Sequence, residues 1–376
     1  MPLRIQPFEA RHAPAVAAFN RRLAAAGSHW HFPESSEPSW LARVDGSPVF
    51  QEFFVAVDGN AVHGAYALQH RPAALAGVMQ PTETWYLPIS EGAVDPRHAL
   101  LGMQLVRDAF RRAPLSFCLG MNGVSSPLAG LIARLGCEPR PVPFFVRIEH
   151  GARFAREARA LRKRRGLAPL LDLAAVTGAA SLGAGLLKLA LRRGPGLEPG
   201  TAVETVAEFG PWADALWERV YARYSFVTLR DAATLNRLYP KERQRVTRIR
   251  LVRDGEPLGW AVLQAARMSD NPNFGNLHVG RITDVFAAPE AAGAVIRAAA
   301  ERLAADGVDL IVSNQSHPEW CAALRQNAFL EAPSNFAFAS SPDLMKRIRA
   351  FDPEQRRLHL NRGDGDGPWG HDPGSF

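Results

Sequence analysis

The stretch ISEGAVDPRHALLG, from Ile89 to Gly102, combines an acidic residue, a Pro, an Arg and a Gly where an apolar run gives way to a helical pattern. Such a junction can bind an anion, because the first amides of a helix have no acceptor within the helix. The stretch is therefore either a loop that cradles phosphate groups or an ordinary turn from strand to helix. The elements that hold it decide between the two.

The opening of this stretch occurs twice in the chain. Residues Ile89–Pro96 align without gaps with Ile282–Pro289, at an offset of 193. Further pairs match in the same order: Asp58-Gly59 with Asp254-Gly255, Gly64 with Gly259, and Phe144 with Phe336. Ordered matches with slowly drifting offsets indicate two copies of one fold.

Each copy shows the same succession of predicted elements. A helical stretch is followed by a hairpin around Asp-Gly, a strand ending at the repeated motif, a helix, a buried strand, a short helix and an aromatic strand. This order predicts an α/β (α+β) fold of two tandem lobes, each a mixed, mostly antiparallel sheet flanked by helices. We expect a first lobe at 1–150, linker helices at 151–200, a second lobe at 201–345 and a C-terminal tail at 346–376.

The positive charge is concentrated between the copies. The chain has a net charge of +7, but residues 151–193 hold ten Arg or Lys and two acids, 10 − 2 = +8, which leaves −1 elsewhere. The basic arm 153–165 lacks interleaved aromatic residues, so no specific nucleic-acid binding is expected. The apolar part that follows has only fifteen uncharged residues between Asp172 and Lys188, fewer than the roughly 18 needed to span a bilayer.

Three interpretations of this segment stay open. It forms linker helices that pack on both lobes, or it contacts a membrane surface through the arm 153–165 and the apolar helix. In the third interpretation the arm docks an acidic partner, such as an acyl carrier protein.

The cysteines and the missing motifs narrow the class of protein. Cys118, Cys137 and Cys321 are few and lack metal-ligand spacing, which is typical of a reducing compartment. The N-terminal residues contain no signal-peptide run, so we expect a cytoplasmic protein, or one at the periphery of the inner membrane if the arm binds lipid. His29 and His31 have no third ligand nearby, so no metal is expected. The Gly-x-Ser-x-Gly, P-loop and Rossmann motifs are missing.

ISEGAVDPRHALLG resembles the central motif of the GNAT superfamily, the Gcn5-related acyl-CoA N-acyltransferases. In that family a strand with an acidic residue near its end runs into Val-x-Pro, a loop with an Arg and glycines, and a helix. The resemblance covers residues ~4–150 and, more divergently, ~200–345. The spacing from Val94 to Gly102 is two residues shorter than is usual in the family, and only the last loop glycine is present.

The resemblance implies a site for acetyl-CoA or another acyl-CoA as co-substrate, and no metal. Glu91 takes the place of the family's base, and Glu83 lies further up the same strand. In a regular strand residues 83, 85, 87, 89 and 91 share one face, but the family's strand usually carries a bulge that breaks this parity. The residues expected around the acyl-CoA are Val94, Arg97, His98, Ala99, Leu100, Leu101, Gly102, Asn122 and Ser126.

The resemblance also places the acceptor and separates the two copies. Trp30, His31, Tyr224 and Asp284 are expected on the acceptor side. The family's thiolate-protonating Tyr is replaced by Ile132 in copy one and by Leu324 in copy two. Copy two has Glu290 directly after Pro289. A carboxylate at this position repels phosphate, so we expect the second lobe to be degenerate.

Three functions follow from these expectations. The first is an N-acyltransferase that moves an acyl group, with acetyl as the simplest case, from acyl-CoA to an amine of a small metabolite, amino sugar or amino acid. The second is an acyltransferase of the same fold that depends on acyl carrier protein or aminoacyl-tRNA. The third is a non-catalytic GNAT-like binding module.

Overall fold

A computed structural model describes residues 3–162, 167–191, 196–242 and 245–365. The chain forms two compact units. Unit 1 consists of Met1–Pro141 and Asn335–Gln355, and unit 2 of Val142–Ser334 and Arg356–Phe376.

The first half of the chain supplies most of unit 1. Its strands and helices are β1 (Arg4–Pro7), α1 (Ala13–Ala25), β2 (Phe50–Asp58), β3 (Ala61–His70), β4 (Ala73–Leu75), β5 (Val78–Gln80), β6 (Glu83–Ser90), α2 (Leu101–Arg112), β7 (Ser116–Gly120), α3 (Pro127–Ala133) and β8 (Arg140–Pro141). Strand β9 (Phe144–Ile148) and helices α4 (Gly151–Glu157), α5 (Arg159–Arg162), α6 (Leu167–Val176) and α7 (Ala179–Leu191) follow.

The second half of the chain repeats the order. It contains β10 (Thr201–Val206), α8 (Pro211–Val220), β11 (Phe226–Thr228), α9 (Ala232–Leu238), β12 (Val246–Arg253), β13 (Glu256–Arg267), β14 (His278–Ala287), α10 (Ala292–Ala305), β15 (Leu310–Asn314), α11 (Pro318–Gln326), β16 (Leu330–Ala332), β17 (Ala337–Ser340) and α12 (Pro342–Phe351).

Each unit is built on a seven-stranded mixed sheet. The order in unit 1 is β1-β2-β3-β6-β7-β17-β8, and the order in unit 2 is β10-β12-β13-β14-β15-β9-β16. The pairs β6/β7 and β14/β15 are parallel, and the other pairs described in the two sheets are antiparallel. This confirms the predicted fold class and the internal repeat.

The two halves of the chain exchange one strand. Strand β17 pairs with β7 in unit 1, through Phe338 opposite Leu119. Strand β9 occupies the corresponding position in unit 2, where Val146 lies opposite Val312 of β15. The repeat suggested boundaries at 150 and 345, whereas the compact units place residues 142–150 in unit 2 and 335–355 in unit 1.

Helices cover both faces of the sheet in unit 1. On one face α2 and α3 pack on Phe54, Tyr66 and Trp85, and on the other face α1 packs on Phe53 and Val55. Gly64 and Gly259 match in the repeat because, in each unit, the helix that follows the repeated motif packs closely on this position. A Cβ on Gly64 would lie 3.1 Å from Leu101 and Leu105 of α2, and a Cβ on Gly259 would lie 2.7 Å from Val295 of α10.

The segment predicted to form linker helices is helical in its described part, from α4 to α7. No single helix in the described chain has the length and hydropathy to cross a membrane. The pair Leu167–Val176 and Ala179–Leu191 meets both criteria only when taken together, and it is bent by 88°. Residues 163–165 of the basic arm lie outside the described residues.

Candidate active site

The central strands of unit 1 are joined only at one end. In the pair β6/β7, Glu83 lies opposite Ser116 and Thr84 opposite Phe117, and the pairing then stops. The rest of β7 pairs with β17 on its other edge. Two parallel strands that pair at one end leave a gap between their other ends. This gap runs along β6 towards the loop that the sequence singles out.

A β-bulge changes the direction of the side chains along β6. The register between β3 and β6 shifts between Ala65 and Ala67, and Leu87 has a φ of 50°. As a result Trp85 packs on the α2 face, whereas Ile89 packs on the α1 face. The odd-numbered residues from 83 to 91 therefore do not share one face, because the bulge that the family resemblance implied inserts an extra residue. An equivalent shift occurs in unit 2, between Val262 and Leu263.

Glu83 lies at the closed end of the gap, beside a histidine that the sequence did not single out. His70 Nδ1 is 3.4 Å from Glu83 Oε1, and His70 Nε2 is 3.0 Å from Glu52 Oε2. Burial alone lowers the pKa of His70, but the bonds to Glu52 and Glu83 raise it to about 9. His70 is therefore a cation at neutral pH, shared by two carboxylates.

A serine completes this end of the gap. Ser116 is fully buried and lies directly opposite Glu83. Its Oγ has no hydrogen-bond partner among the described residues. We name Glu52, His70, Glu83 and Ser116 the vertex cluster.

Glu91 lies at the other end of the gap, in a closed set of ion pairs. Arg22 Nε is 2.6 Å from Glu91 Oε1, and His63 Nδ1 is 2.6 Å from Glu91 Oε2. The carboxylate is buried. Both of its oxygens are thus engaged, which leaves it less suited than Glu83 to accept a further proton from a substrate.

The same carboxylate belongs to the one group of possible metal ligands found in the described chain, His63, Glu91 and His98. The sequence predicted no metal and did not single out His63. The rings of His63 and His98 stack at 4.3 Å. The Arg22 guanidinium already neutralises Glu91, which disfavours a cation at this position.

The predicted phosphate loop consists of two short 3-10 turns before α2. Asp95 caps the second turn and holds Arg97 through bonds of 3.1, 3.0 and 2.7 Å. Arg97 is exposed and occupied by this ion pair, which holds the pKa of the Asp95 carboxyl down at about 2. Val94, Ala99 and Leu100 are exposed, and His98 is half-buried.

Helix α2 starts without a side-chain cap. Leu100 is its N-cap residue and offers no side-chain acceptor. The first hydrogen bond of the helix runs from Gln104 N to Leu100 O. The amides of Leu101 and Gly102 therefore have no acceptor within the helix, as predicted for an anion-binding terminus.

Asn122 and Ser126 follow β7. Ser126 Oγ accepts a hydrogen bond from Ala129 N at 3.1 Å and caps α3. Asn122 is exposed and has a φ of 55°. A structural role as turn and helix cap accounts for Ser126, and contact with an acyl-CoA stays a prediction for both residues.

In unit 2 the corresponding gap is filled by the chain itself. The pairing of β14 with β15 ends at Ile282 and Ser313. Beyond this point, residues 358–363 bond to both sides. On the β14 side, His359 Nε2 donates to Val285 O at 2.8 Å and Asn361 Nδ2 donates to Asp284 Oδ1 at 3.0 Å.

The other side of this inserted segment is held equally closely. Leu360 N donates to Ser316 Oγ at 2.8 Å, and Arg362 Nε donates to Asn314 Oδ1 at 2.9 Å. A Cβ on Gly363 would lie 2.4 Å from the Asp284 carboxyl. Residues 358–363 thus form a plug in unit 2. No comparable bridge spans β6 and β7 beyond Thr84 among the described residues of unit 1.

The plug ends in a buried ionic network. Arg230 donates to Asp284 at 3.1 Å and to both oxygens of Asp364 at 2.9 Å, and all three side chains have no exposed surface. Burial alone lowers the pKa of Arg230, but the two carboxylates raise it above its ordinary value. The sequence did not predict this network, because its partners are far apart in the chain.

The four residues expected on the acceptor side lie in different environments. Trp30 and His31 are exposed in unit 1. Tyr224 is buried in unit 2, where its hydroxyl donates to Ala287 O at 2.6 Å and accepts from Trp320 Nε1 at 3.0 Å. Asp284 is fully buried. Tyr224 and Asp284 therefore stabilise the interior of unit 2, and contact of all four with an acceptor stays a prediction.

Known structures share this architecture. N-myristoyltransferase of Saccharomyces cerevisiae with bound myristoyl-CoA superimposes with a TM-score of 0.53 at 11% identity, over 91% of this chain and 79% of that protein. A probable N-acyltransferase of Enterococcus faecalis, described as a conserved protein of unknown function, gives a TM-score of 0.54 at 9% identity, over 92% and 74%. The chain has a tandem GNAT fold. At this identity the likeness shows the fold alone.

Sequence comparison adds nothing to this assignment. No protein-family model matches the chain, and no curated protein matches it. The likeness to known proteins is therefore seen in the structure and not in the sequence.

Proposed function

We propose that this protein is an N-acyltransferase that holds an acyl-CoA in the gap of unit 1. One observation carries the proposal: the gap between β6 and β7 lacks a backbone bridge in the described chain, whereas the equivalent gap in unit 2 contains the plug 358–363. A fold with one open and one filled gap has one cofactor site. The bound myristoyl-CoA of the yeast protein with the same fold supports this choice of ligand.

The two ends of the gap fit the two ends of an acyl-CoA. The uncapped amides of Leu101 and Gly102 suit the pyrophosphate, because a helix N-terminus favours anions. The vertex cluster lies where the thioester would reach, and the Oγ of Ser116 is a hydrogen-bond donor with no acceptor in the described part of the chain.

The reaction needs a neutral amine, so a base must remove one proton from the ammonium form. We assign this role to Glu83. The amine nitrogen attacks the thioester carbonyl carbon, the C–N bond forms and the C–S bond breaks. As the amide forms, a second proton moves from the nitrogen to the CoA thiolate, which gives free CoA. Ile132 cannot protonate the thiolate, but a CoA thiolate leaves without strong assistance.

The acceptor in this proposal is an amine of a small metabolite, amino sugar or amino acid, and acetyl is the simplest acyl group. Acyl length is testable directly. Isothermal titration calorimetry with free CoA, acetyl-CoA and longer acyl-CoAs should give one site per chain. A lower Kd for long-chain acyl-CoAs than for acetyl-CoA would indicate that the transferred group is a fatty acyl group.

A matched pair of variants tests the location of the site. Gly102 and Gly293 are each the second residue of the helix after the repeated motif. Gly102→Asp places a carboxylate beside the proposed pyrophosphate and should weaken acetyl-CoA binding by about 1 kcal/mol or more, which is roughly fivefold or more. Gly293→Asp should leave binding unchanged. Equal affinities for the wild type and Gly102→Asp, or no heat with any acyl-CoA, would refute the proposal and favour a carrier-protein donor or a non-catalytic module.

A further inference from the structure

Helices α6 and α7 expose their leucines. Of the sixteen large apolar side chains that are exposed in the described chain, seven lie between residues 167 and 191. Their exposed fractions range from 39% to 78%. They are Leu170, Leu173, Val176, Leu182, Leu186, Leu187 and Leu189. We name these side chains the leucine surface.

Apart from Leu187, the leucine surface follows helical spacing, so it forms one face of each helix. In α6, Leu170 and Leu173 are three residues apart, and in α7, Leu182, Leu186 and Leu189 are four and three apart. A helix on a water-soluble protein normally turns such a face inward. In α7 no residue is buried, although five of its thirteen residues are leucine.

The charged residues of the same helices form ion pairs within the protein. Lys188 Nζ lies 2.5 Å from Glu149, a carboxylate with 5% exposure that also pairs with Arg147. Asp172 of α6 is bound by both Nη atoms of Arg162, at 2.7 and 3.0 Å. The two charged residues between 167 and 191 are therefore both paired within the protein, Lys188 with a buried carboxylate and the exposed Asp172 with Arg162.

These anchors fix the orientation of the helix pair. Ala152 N donates to Ser181 Oγ at 3.2 Å, and a Cβ on Gly151 would lie 2.1 Å from Ala180 O. The start of α4 and the start of α7 are thus in close contact. The leucines are held outward by specific bonds on the opposite face.

The charges that flank the leucine surface are positive. Arg153 and Arg156 of α4 are exposed. In the sequence, Arg162-Lys163-Arg164-Arg165 precedes α6 and Arg192-Arg193 follows α7, and positions 163–165 and 192–193 lie outside the described residues. The stretch 167–191 contains no aromatic residue, although aromatic side chains dominate most protein–protein interfaces.

We infer that α6 and α7 lie on the surface of an anionic lipid bilayer, with the leucine surface immersed among the acyl chains. Aliphatic side chains without aromatic or polar partners suit lipid, and flanking Arg and Lys add electrostatic attraction to anionic headgroups. The contact is peripheral, because the bend of 88° between the helices and the inward Lys188 do not suit a span.

Vesicle flotation of the full-length protein tests this inference. We expect the wild type to float with phosphatidylcholine vesicles that contain phosphatidylglycerol, less with phosphatidylcholine alone, and less again in high salt. The triple variant Leu182→Gln, Leu186→Gln, Leu189→Gln should lower partitioning by about 100-fold or more, because each leucine kept out of lipid costs roughly tenfold or somewhat less. These side chains are exposed, so the variant should keep the wild-type thermal midpoint.

Val203 and Leu330 provide the matched control. They are exposed apolar residues of unit 2 outside this segment, and Val203→Gln with Leu330→Gln should leave flotation unchanged. Equal flotation of the wild type and the triple variant would overturn the inference. A wild type that does not float would also overturn the inference. If that wild type is a dimer and the triple variant dissociates it, the leucine surface is instead a contact with a second copy of the chain.

Discussion

The buried network around Arg230 makes a quantitative prediction about unit 2. Arg230→Met removes the cation and leaves Asp284 and Asp364, both without exposed surface, as neighbouring carboxylates without Arg230 between them. Removing one partner of a buried ion pair costs about 3–5 kcal/mol. For a unit of this size, each kcal/mol lowers the thermal midpoint by about 2–4 °C, so we expect a decrease of roughly 6–20 °C.

The control is Arg223→Met. Arg223 pairs with Glu290 at 3.2 Å, but both side chains are more than half exposed, so its loss should cost less than about 1 kcal/mol. Differential scanning calorimetry at several pH values adds a second criterion. Acid protonates a buried carboxylate that has lost its cation, so the deficit of Arg230→Met should be smaller at pH 5 than at pH 8.

Two results would refute this reasoning. A loss of less than about 1 kcal/mol for Arg230→Met would mean that water reaches the network. A deficit that does not change with pH would mean that the loss comes from packing of the Arg230 side chain and not from its charge.

Three further predictions concern unit 1 and the repeat. Glu83→Gln should lower kcat by about 10²–10⁴-fold in an acyl-transfer assay, whereas Glu91→Gln should lower it less than about tenfold; the reverse order would restore Glu91 as the base. His70, with a folded pKa of about 9, should contribute up to about 3 kcal/mol of stability below pH ~6.5, which is lost as the pH rises through 9; His70→Gln should flatten this dependence in urea titrations. Gly259→Ala should destabilise more than Gly64→Ala, by about 1–3 kcal/mol, because the nearest atoms to its Cβ would lie at 2.7 to 2.9 Å, whereas those around a Cβ on Gly64 would lie at 3.1 to 3.2 Å and two of them are flexible leucine ends.

The sequence predicts the architecture because the repeat is local and periodic. The Asp-Gly hairpins, the strand before Pro96 and the helix after it are each determined by neighbouring residues, and all are present. The mixed sheet follows from their order. The exchange of β9 and β17 does not, since two equivalent aromatic strands fit either sheet and only the packed structure selects the partner.

The site was predicted less well than the fold. The stretch around Gly102 was identified because its signal is contiguous. His70 was missed because a lone His at the end of a strand carries no signal until Glu52 and Glu83 are known to flank it. The bulge at Leu87 separates the faces of Glu83 and Glu91, and the signal that could have marked it is Pro88, because a Pro in a central strand occurs at bulges.

The tail predicted for residues 346–376 divides into parts with different roles. Residues 342–351 form α12 of unit 1 and residues 358–364 complete the interior of unit 2. The missing side chain of Gly363 allows a close approach to Asp284. Residues 366–376 lie outside the described part of the chain.

The late position of these segments has a consequence for how the chain matures on the ribosome. Unit 1 lacks β17 until residue 340 has been made, and unit 2 lacks Asp364, the second carboxylate bound by Arg230, until residue 364 has been made. Domains usually fold in order as they are synthesised. Here unit 1 cannot complete its sheet before residue 340, nor unit 2 its buried network before residue 364, so a nascent chain stalled before residue 335 would expose both unfinished interiors to chaperones and proteases.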